Sequence, residues 1–432
     1  MLNMLKITQL SFCAAVLVGG ESDFTLALWD SLLQTSVNLS ETSDRLHGVK
    51  YEQILHNYGN VEYDGQITIA GQQLWGIMDT GSFDLLAFDK DKCRGCGQAS
   101  ILDCEEPACH TKELSGSCIE YGSGKTCANQ AASEVSVGPL TSEGQDFLLA
   151  YSAEMPLLAE ADFQAIVGLG VPKGDELLVK LGVQYLSVCM PANADGKMVW
   201  NDNAPGSAFT SMSVAGQVFW GLVMTDAELS NGEKTHSVGC NPSCGAVLDT
   251  GTSLIGAPQS FIREVVKAFA DMGGSCSDIS SLPSLKFKLN GNDFSLPPEA
   301  YVGRYVTKSI KWLPDWVPQP VMIGCELLLI DVGDVNTEKG KMLILGMPFF
   351  RFYYTTFDLG SPGGSNVGSM KVHTAPTGAS CMPGTRLADG AMGGTRRLMD
   401  VDPARVILPK WLNRAMAAGD TRKGPTNITI PF

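Results

Sequence analysis

The chain has 432 residues, 44% hydrophobic and 18% charged, with a formal net charge of -15. That length exceeds the roughly 250–300 residues at which a single core stops growing, so two packed lobes are expected. The acidic balance disfavours nucleic acid, whose phosphates need a basic surface. It fits either a surface kept soluble by repulsion or service in an acidic compartment, where protonation lowers that repulsion.

Met1–Lys6 carries one positive charge, Ile7–Val18 is largely apolar, and Gly19-Gly20 offers small residues for cleavage. Together they predict a signal peptide over residues 1–20. The apolar run is shorter than the roughly 20 residues that span a bilayer, so no stable membrane span is expected; a weak membrane anchor is the alternative. Thirteen cysteines are many for a cytosolic enzyme. Cys13 would leave with the leader, and an even number would remain for disulfides in an oxidising secretory route. Residues 21–50 are polar, with an amphipathic patch at Phe24–Leu33 that predicts a short helix, and are read as a short prosegment.

From Tyr51 the texture changes to short alternating runs such as Gln66–Ala70, Glu134–Val137 and Lys286–Leu289, bounded by Gly, Pro, Asn or Asp. This punctuation predicts strands and turns, and 47 glycines suit a loop-rich β protein. The clearest helical pattern is Gln259–Met272, opening after Pro258 and closing at Gly273-Gly274. The fold class expected is therefore all-β dominated, with few short helices. From Thr377 the chain is rich in Gly, Ala, Met and Arg, lacks strand punctuation and carries more basic than acidic residues. Residues 377–432 are read as a separate C-terminal tail, disordered or processed.

One internal repeat directs the functional reading. Ile77-Met78-Asp79-Thr80-Gly81-Ser82 recurs as Val247-Leu248-Asp249-Thr250-Gly251-Thr252-Ser253. A single Asp-Thr-Gly is a common turn. Two copies, each after an apolar strand and about one lobe apart, are hard to explain as turns alone. Amide hydrolysis without a covalent intermediate needs a base to activate water and an acid for the carbonyl oxygen or leaving amine. Two carboxylates about 3 Å apart supply both, because like charges that close cannot both ionise. Thr80 and Thr250 could tie the two loops by hydrogen bonds, while Gly81 and Gly251 permit close backbone approach.

Further motifs follow in order. Ile166-Val167-Gly168 and Ile344-Leu345-Gly346 each place an apolar pair before Gly, and the second opens the run Leu345-Gly346-Met347-Pro348-Phe349-Phe350-Arg351-Phe352-Tyr353-Tyr354-Thr355-Thr356-Phe357-Asp358. Ile119-Glu120-Tyr121-Gly122-Ser123-Gly124 is a Gly-rich turn between strands. Gly122-Ser123-Gly124-Lys125-Thr126 also invites a phosphate-loop reading, which fails because Ile119 holds the position of that motif's first Gly.

With these motifs, residues 51–376 resemble the pepsin-like aspartic proteases, the known users of such a carboxyl pair. The resemblance implies a bilobal fold with the cleft between related β-rich lobes. Residues 51–206 would be the N-terminal lobe, with the first Asp loop, the cysteine cluster and the flap; residues 207–376 would be the C-terminal lobe with the second. It implies Asp79 and Asp249 as catalytic, supported by Thr80, Gly81, Ser82, Thr250, Gly251 and Thr252. It also implies a flap whose Tyr121 gates the site and whose Gly122 and Ser123 contact substrate. The pairs Cys240 with Cys244, and Cys276 with Cys325, resemble family disulfides. Cys93, Cys96, Cys104, Cys109, Cys118 and Cys127 resemble the cysteine-rich insertion of nepenthesin-type members, with connectivity left open. A zinc site at Cys93, Cys96, Cys104 and Cys109 is the rival reading. Cys189 and Cys381 could pair or stay free.

Some residues depart from the family pattern. Leu86 stands where a Trp commonly supports the flap Tyr, Phe83 replaces a small hydroxyl residue, and Trp200-Asn201-Asp202-Asn203 lacks the usual Gly-Gly. Family prosegments lay a basic residue across the dyad, for which only Arg45 and Lys50 are on offer. Asn38-Leu39-Ser40 and Asn427-Ile428-Thr429 fit the glycosylation triplet.

The function expected is that of an aspartic endopeptidase: monomeric, without cofactor or metal, acting on protein or peptide substrates at acidic pH. The compartment expected is extracellular or an acidic vacuole or lysosome. Large apolar side chains should be preferred, with Tyr121, Leu86, Phe163 and Ile166 on one wall and Ile255 opposite. A catalytically impaired peptide-binding protein on the same fold is the alternative, kept open by Leu86 and Phe83. An unrelated β-rich secreted structural protein would have to produce all these motifs by accident.

Overall fold

The computed structural model describes residues 48–432 except 122, 160, 175, 273–277, 306–325, 362–365, 379–380, 385–398, 403–404, 409–428 and 431–432. The expected signal peptide, nearly all of the expected prosegment with its predicted helix and Arg45, Gly122, Cys276, Cys325 and the asparagines of the two glycosylation triplets therefore lie outside the described residues.

Alternating sequence becomes strands with one buried face. β1 (Tyr51–Tyr58), β2 (Glu62–Ile69) and β3 (Gln72–Asp79) open the chain. The β2–β3 hairpin turns on Ala70 and Gly71, at φ 52° and 73°. Two positive values in a two-residue loop match the right-handed twist of the flanking strands, and Gly adopts the second without steric cost. After the first Asp loop come β4 (Leu85–Phe88) and a long antiparallel set, β5 (Cys109–Tyr121), β6 (Gly124–Val137) and β7 (Leu140–Glu154). β8 (Ala165–Gly168) returns beside β3, and β9 (Tyr185–Cys189) and β10 (Gly196–Trp200) follow.

The second half repeats the theme. β11 (Thr210–Ser213), β12 (Gly221–Ser230) and β13 (Thr235–Gly239) precede β14 (Cys244–Leu248), which leads into the second Asp loop and β15 (Ile255–Ala257). The helix Gln259–Met272 has the expected bounds and buries Phe261, Val265, Ala268 and Met272. That spacing places them on one face, packed against β13. β16 (Ser284–Leu289), β17 (Asn292–Leu296) and β18 (Val302–Tyr305) follow. Next come β19 (Glu326–Leu327), β20 (Leu329–Asp331), β21 (Asn336–Thr337) and β22 (Gly340–Leu345). β23 (Tyr353–Asp358) and β24 (Lys371–Pro376) end the second half, and β25 (Met399–Val401) and β26 (Thr429–Ile430) lie beyond it.

The result is the bilobal, strand-dominated fold expected from the sequence. A 13-stranded sheet runs β11-β24-β23-β9-β10-β1-β2-β3-β8-β4-β7-β6-β5, and a 10-stranded sheet is built around β16-β12-β14-β22-β15. The halves share the first sheet: β23 lies antiparallel to β9, with Thr355 opposite Val188 and Asp358 opposite Tyr185. Trp200 and Trp220 are fully buried, with Trp200 Nε1 donating to Gln53 Oε1 at 2.9 Å and Trp220 Nε1 to the carbonyl of Leu169 at 2.9 Å. Among the described residues no helix is long and apolar enough to cross a membrane.

The described pieces of residues 377–432 are woven into this body. Cys381 is disulfide-bonded to Cys189. β25 lies parallel to β18, Gly303 opposite Met399. Arg405 Nη1 reaches Asp162 and lies 3.6 Å from Glu62 Oε2.

Candidate active site

The two Asp loops are built on the same scaffold. β3 lies parallel to β8, with Asp79 opposite Gly168, and β8 lies antiparallel to β4. In the other half β14 lies parallel to β22, with Leu248 opposite Leu345, and β22 lies antiparallel to β15. Each loop is thus threaded beside a returning apolar strand, which explains why an apolar pair and a Gly recur in both halves. A Cβ on Gly168 would fall 2.4 Å from the backbone carbon of Phe83, and one on Gly346 would fall 2.2 Å from the carbonyl of Leu254. Only glycine lets backbone pass that closely.

Reciprocal hydrogen bonds lock the loops together. The N–H of Thr80 donates to Thr250 Oγ1 and the N–H of Thr250 to Thr80 Oγ1. Each hydroxyl then donates across the interface, Thr80 to the carbonyl of Leu248 at 3.0 Å and Thr250 to that of Met78 at 2.5 Å. Within the loops, Gly81 N–H donates to Asp79 Oδ1 at 2.9 Å and Gly251 N–H to Asp249 Oδ1 at 2.8 Å. The carboxyl groups face one another: a Cβ on Gly81 would lie 2.4 Å from Asp249 Cγ, and one on Gly251 2.3 Å from Asp79 Oδ1.

The two carboxyls are not equivalent. Asp249 is pushed well above the usual carboxylate range, first by burial and then by the charge of Asp79. The Thr252 hydroxyl donates to Asp249 Oδ2 at 2.7 Å and acts in the opposite sense. Ser82 holds the matching place in the first loop; it is buried, and its Oγ has no hydrogen-bond partner among the described residues. Burial and a neighbouring like charge both oppose ionisation of Asp249.

β5 and β6 meet at the turn that carries the expected flap, Tyr121 opposite Gly124. Tyr121 is buried, and its hydroxyl is raised above the ordinary tyrosine value by burial and then by the charges of Asp84 and Asp79. Tyr121 shares a cavity lining with Asp79 of the first Asp loop although Leu86 replaces the Trp. Leu86 lies in the central strand β4, between Ile166 and Leu148, and is wholly buried. Ile255 is buried likewise, paired with Leu345. Neither lines the cavity beside the dyad, which corrects their expected place on the cleft wall. Phe83 packs on Phe219, with ring centroids 5.6 Å apart.

The cavity measures ≈ 20 Å³; Asp79, Tyr121, Phe163 and Ile166 line it, together with Met155 and Leu157. Ile407 and Leu408 also border it. Sequence reasoning missed both; the only signal was the apolar run Val406-Ile407-Leu408 inside a Gly- and Arg-rich tail. The Leu408 N–H donates to Ser123 Oγ of the flap at 3.0 Å. The Ile407 N–H donates to Ser253 Oγ at 2.7 Å, and the Ser253 N–H donates back to the carbonyl of Ile407 at 3.1 Å. Lys50, the described prosegment candidate, instead pairs with Asp202 at 2.8 Å.

Cysteines expected near the site are oxidised. Cys240 joins Cys244 just before the second Asp loop. Cys93–Cys96, Cys104–Cys109 and Cys118–Cys127 settle the open connectivity of the N-terminal cluster, and their sulfurs are committed to disulfides instead of to zinc.

The eukaryotic aspartyl protease family matches residues 62–188 and 199–367. Pepsin A of Bos taurus is 29% identical over 343 residues, covering 72% of this chain and 85% of that protein. Pepsin A of Sus scrofa is 30% identical over 338 residues, covering 71% and 81%. Cathepsin E of Aquarana catesbeiana is 27% identical over 339 residues, covering 71% and 79%. The matched segments span both Asp loops, the flap turn and both apolar-Gly motifs.

Proposed function

The chain belongs to the eukaryotic aspartyl protease family and is a pepsin-like aspartic endopeptidase, and from that premise we propose that Asp79 and Asp249 are its acid–base pair. The observation that carries this reading is the reciprocal Thr80–Thr250 lock, which holds the two carboxyl groups face to face. Asp249 keeps the shared proton, being the carboxyl raised by burial and by Asp79. Asp79, open to the cavity, takes a proton from water as the water oxygen bonds to the peptide carbonyl carbon. Asp249 gives its proton to the carbonyl oxygen. When the tetrahedral species collapses, the C–N bond breaks, Asp79 returns its proton to the amine nitrogen, and a hydroxyl proton of the intermediate restores Asp249. Thr80, Gly81, Thr250, Gly251 and Thr252 orient the pair; Ser82 is the remaining hydroxyl able to reach it.

Activity belongs to acidic pH, because the singly protonated pair is the working form. Tyr121 and Ser123 close over substrate and exclude water. Phe163, Ile166, Met155 and Leu157 make an apolar wall, and burying a Leu or Phe side chain there contributes roughly 1.5–3 kcal/mol. The five disulfides among the described residues fit an oxidising secretory route ending outside the cell or in an acidic vacuole. Both Asp loops come from one chain, which suits a monomer.

The test is digestion of a denatured protein at acidic pH by purified enzyme, with and without a statine-type inhibitor, alongside Asp79→Asn and Asp249→Asn. Asn nearly matches Asp in volume but cannot exchange a proton. Each variant should fold and lose proteolysis. Retention of more than roughly a few per cent of activity by either pure variant sinks the assignment, since general acid–base catalysis is worth about 10²–10⁴-fold.

A further inference from the structure

The four residues Arg405-Val406-Ile407-Leu408 run between the turn that carries Ser123 and the second Asp loop, beside the cavity. Their main-chain groups are held from both sides of the cleft: Leu408 by the flap hydroxyl of Ser123, and Ile407 by the N–H and hydroxyl of Ser253 beside the second Asp loop. The Ser253 hydroxyl is itself aimed, since it donates to the carbonyl of Val61. Ile407 is buried, and with Leu408 it borders the cavity that Asp79 and Tyr121 share.

We propose that Arg405–Leu408 is an intramolecular occupant of the peptide cleft, an internal competitor that shields the dyad until it is displaced. The proposal rests on Asp79 and Asp249 being the acid–base pair. The segment has its own anchors on the body. Val406 packs on the small cluster of Val61, Leu254, Leu328 and Met399. Arg405 bonds Asp162, and its guanidinium lies 3.6 Å from Glu62 and 4.0 Å from Asp402, above the Tyr58 ring at 5.4 Å. Upstream, the Cys189–Cys381 disulfide keeps this end of the chain beside the body. A tethered ligand competes at an effective concentration that reaches about millimolar for short flexible links. That is comparable with the usual range of KM, roughly 1 μM–1 mM.

The anchor is acid-sensitive. The groups facing Arg405 are Glu62, with Asp64 behind it on β2, Asp162 before β8, Asp402 on the segment's own approach, and the Tyr58 phenol. Burial pushes Glu62 up to about 7, against the lowering effect of Arg405. Glu62 thus loses its charge in mild acid. The hold on Arg405 weakens in the range where the dyad works.

The experiment uses the full chain, a fluorogenic peptide with Leu or Phe at the cut bond, and a statine-type inhibitor titrated by calorimetry. In an Ile407→Asp/Leu408→Asp double variant, charge in an apolar cavity should expel the segment. KM should fall about tenfold with kcat unchanged, and the inhibitor should bind tighter by the same factor, because only an intramolecular competitor has been removed. A blocked Arg-Val-Ile-Leu peptide added in trans should restore the higher KM. Arg405→Ala should tighten inhibitor binding near neutral pH by a smaller factor than the double variant does, and leave it unchanged at acidic pH. It also serves if the double variant does not melt cooperatively. Unchanged KM and unchanged inhibitor affinity in both variants overturn the proposal. Tighter inhibitor binding without any peptide cleavage would uphold the internal competitor and refute the catalytic reading, so the two fail separately.

Discussion

The backbone N–H of Thr80 donates to the hydroxyl of Thr250, and the N–H of Thr250 to the hydroxyl of Thr80, both at 3.0 Å. Each threonine is fully buried, so water cannot replace a lost partner. Thr80→Val should strand the Thr250 N–H and the Leu248 carbonyl, at about 1–3 kcal/mol for each unsatisfied group. Thr80→Ser keeps the hydroxyl and should stay near wild type in melting temperature. A Val variant matching the Ser variant in both melting temperature and kcat/KM would show the lock to be dispensable.

Stability should depend on pH through Glu62 and Asp64. Burial raises both above their ordinary values, Glu62 to about 7 and Asp64 well above the carboxylate range. A folded-state pKa above the unfolded one stabilises the fold fully below the unfolded value and is lost as pH rises through the folded value. The melting temperature should therefore fall from about pH 4.5 to about pH 7, with Glu62 contributing on the order of 3 kcal/mol. Glu62→Gln should flatten that slope. A slope of opposite sign in the native protein, or one untouched in the variant, contradicts the buried-acid account.

The Cys189–Cys381 bond joins residues 192 apart. Closing a loop of that length is worth about 5 kcal/mol in the loop-entropy account. Cys381→Ser should lower the unfolding free energy in urea by up to that amount. It should also lower KM for the fluorogenic peptide, by loosening the tether of the cleft-bound segment. A fall in stability with KM unchanged would separate the disulfide from cleft occupancy.

Cleavage of a peptide library should concentrate at bonds flanked by Leu, Ile or Phe. Tyr121, Leu157, Phe163 and Ile166 line the cavity, and a charged side chain there would lose hydration without a partner. Enrichment of Lys, Arg or Asp beside the cut bond would refute this wall.

Much of this was readable in the sequence, because repeated chemistry leaves repeated letters. Asp79 and Asp249 announce themselves as a duplicated Asp-Thr-Gly, and Gly168 and Gly346 recur because the same backbone crossing occurs twice. The helix at Gln259–Met272 shows through its periodic apolar face and its Pro and Gly bounds. Leu86 and Ile255 were misplaced because an apolar residue next to a motif looks the same whether it faces the cleft or the core; the lining of the cavity, which includes Phe163 and Ile166 but neither of these two, separates them. Arg405–Leu408 was hidden for a different reason. Its bonds to Ser123 and Ser253 are made by the main chain of Ile407 and Leu408, which leaves almost no trace in side-chain pattern.

The pairing of β9 with β23 bears on how the protein is made. Tyr185–Cys189 leaves the ribosome long before Tyr353–Asp358 exists to cover it. A nascent first half thus presents a naked strand edge, the kind of surface that invites wrong partners and calls for chaperones. A message truncated before Tyr353 would encode an aggregation-prone fragment, not a smaller working domain.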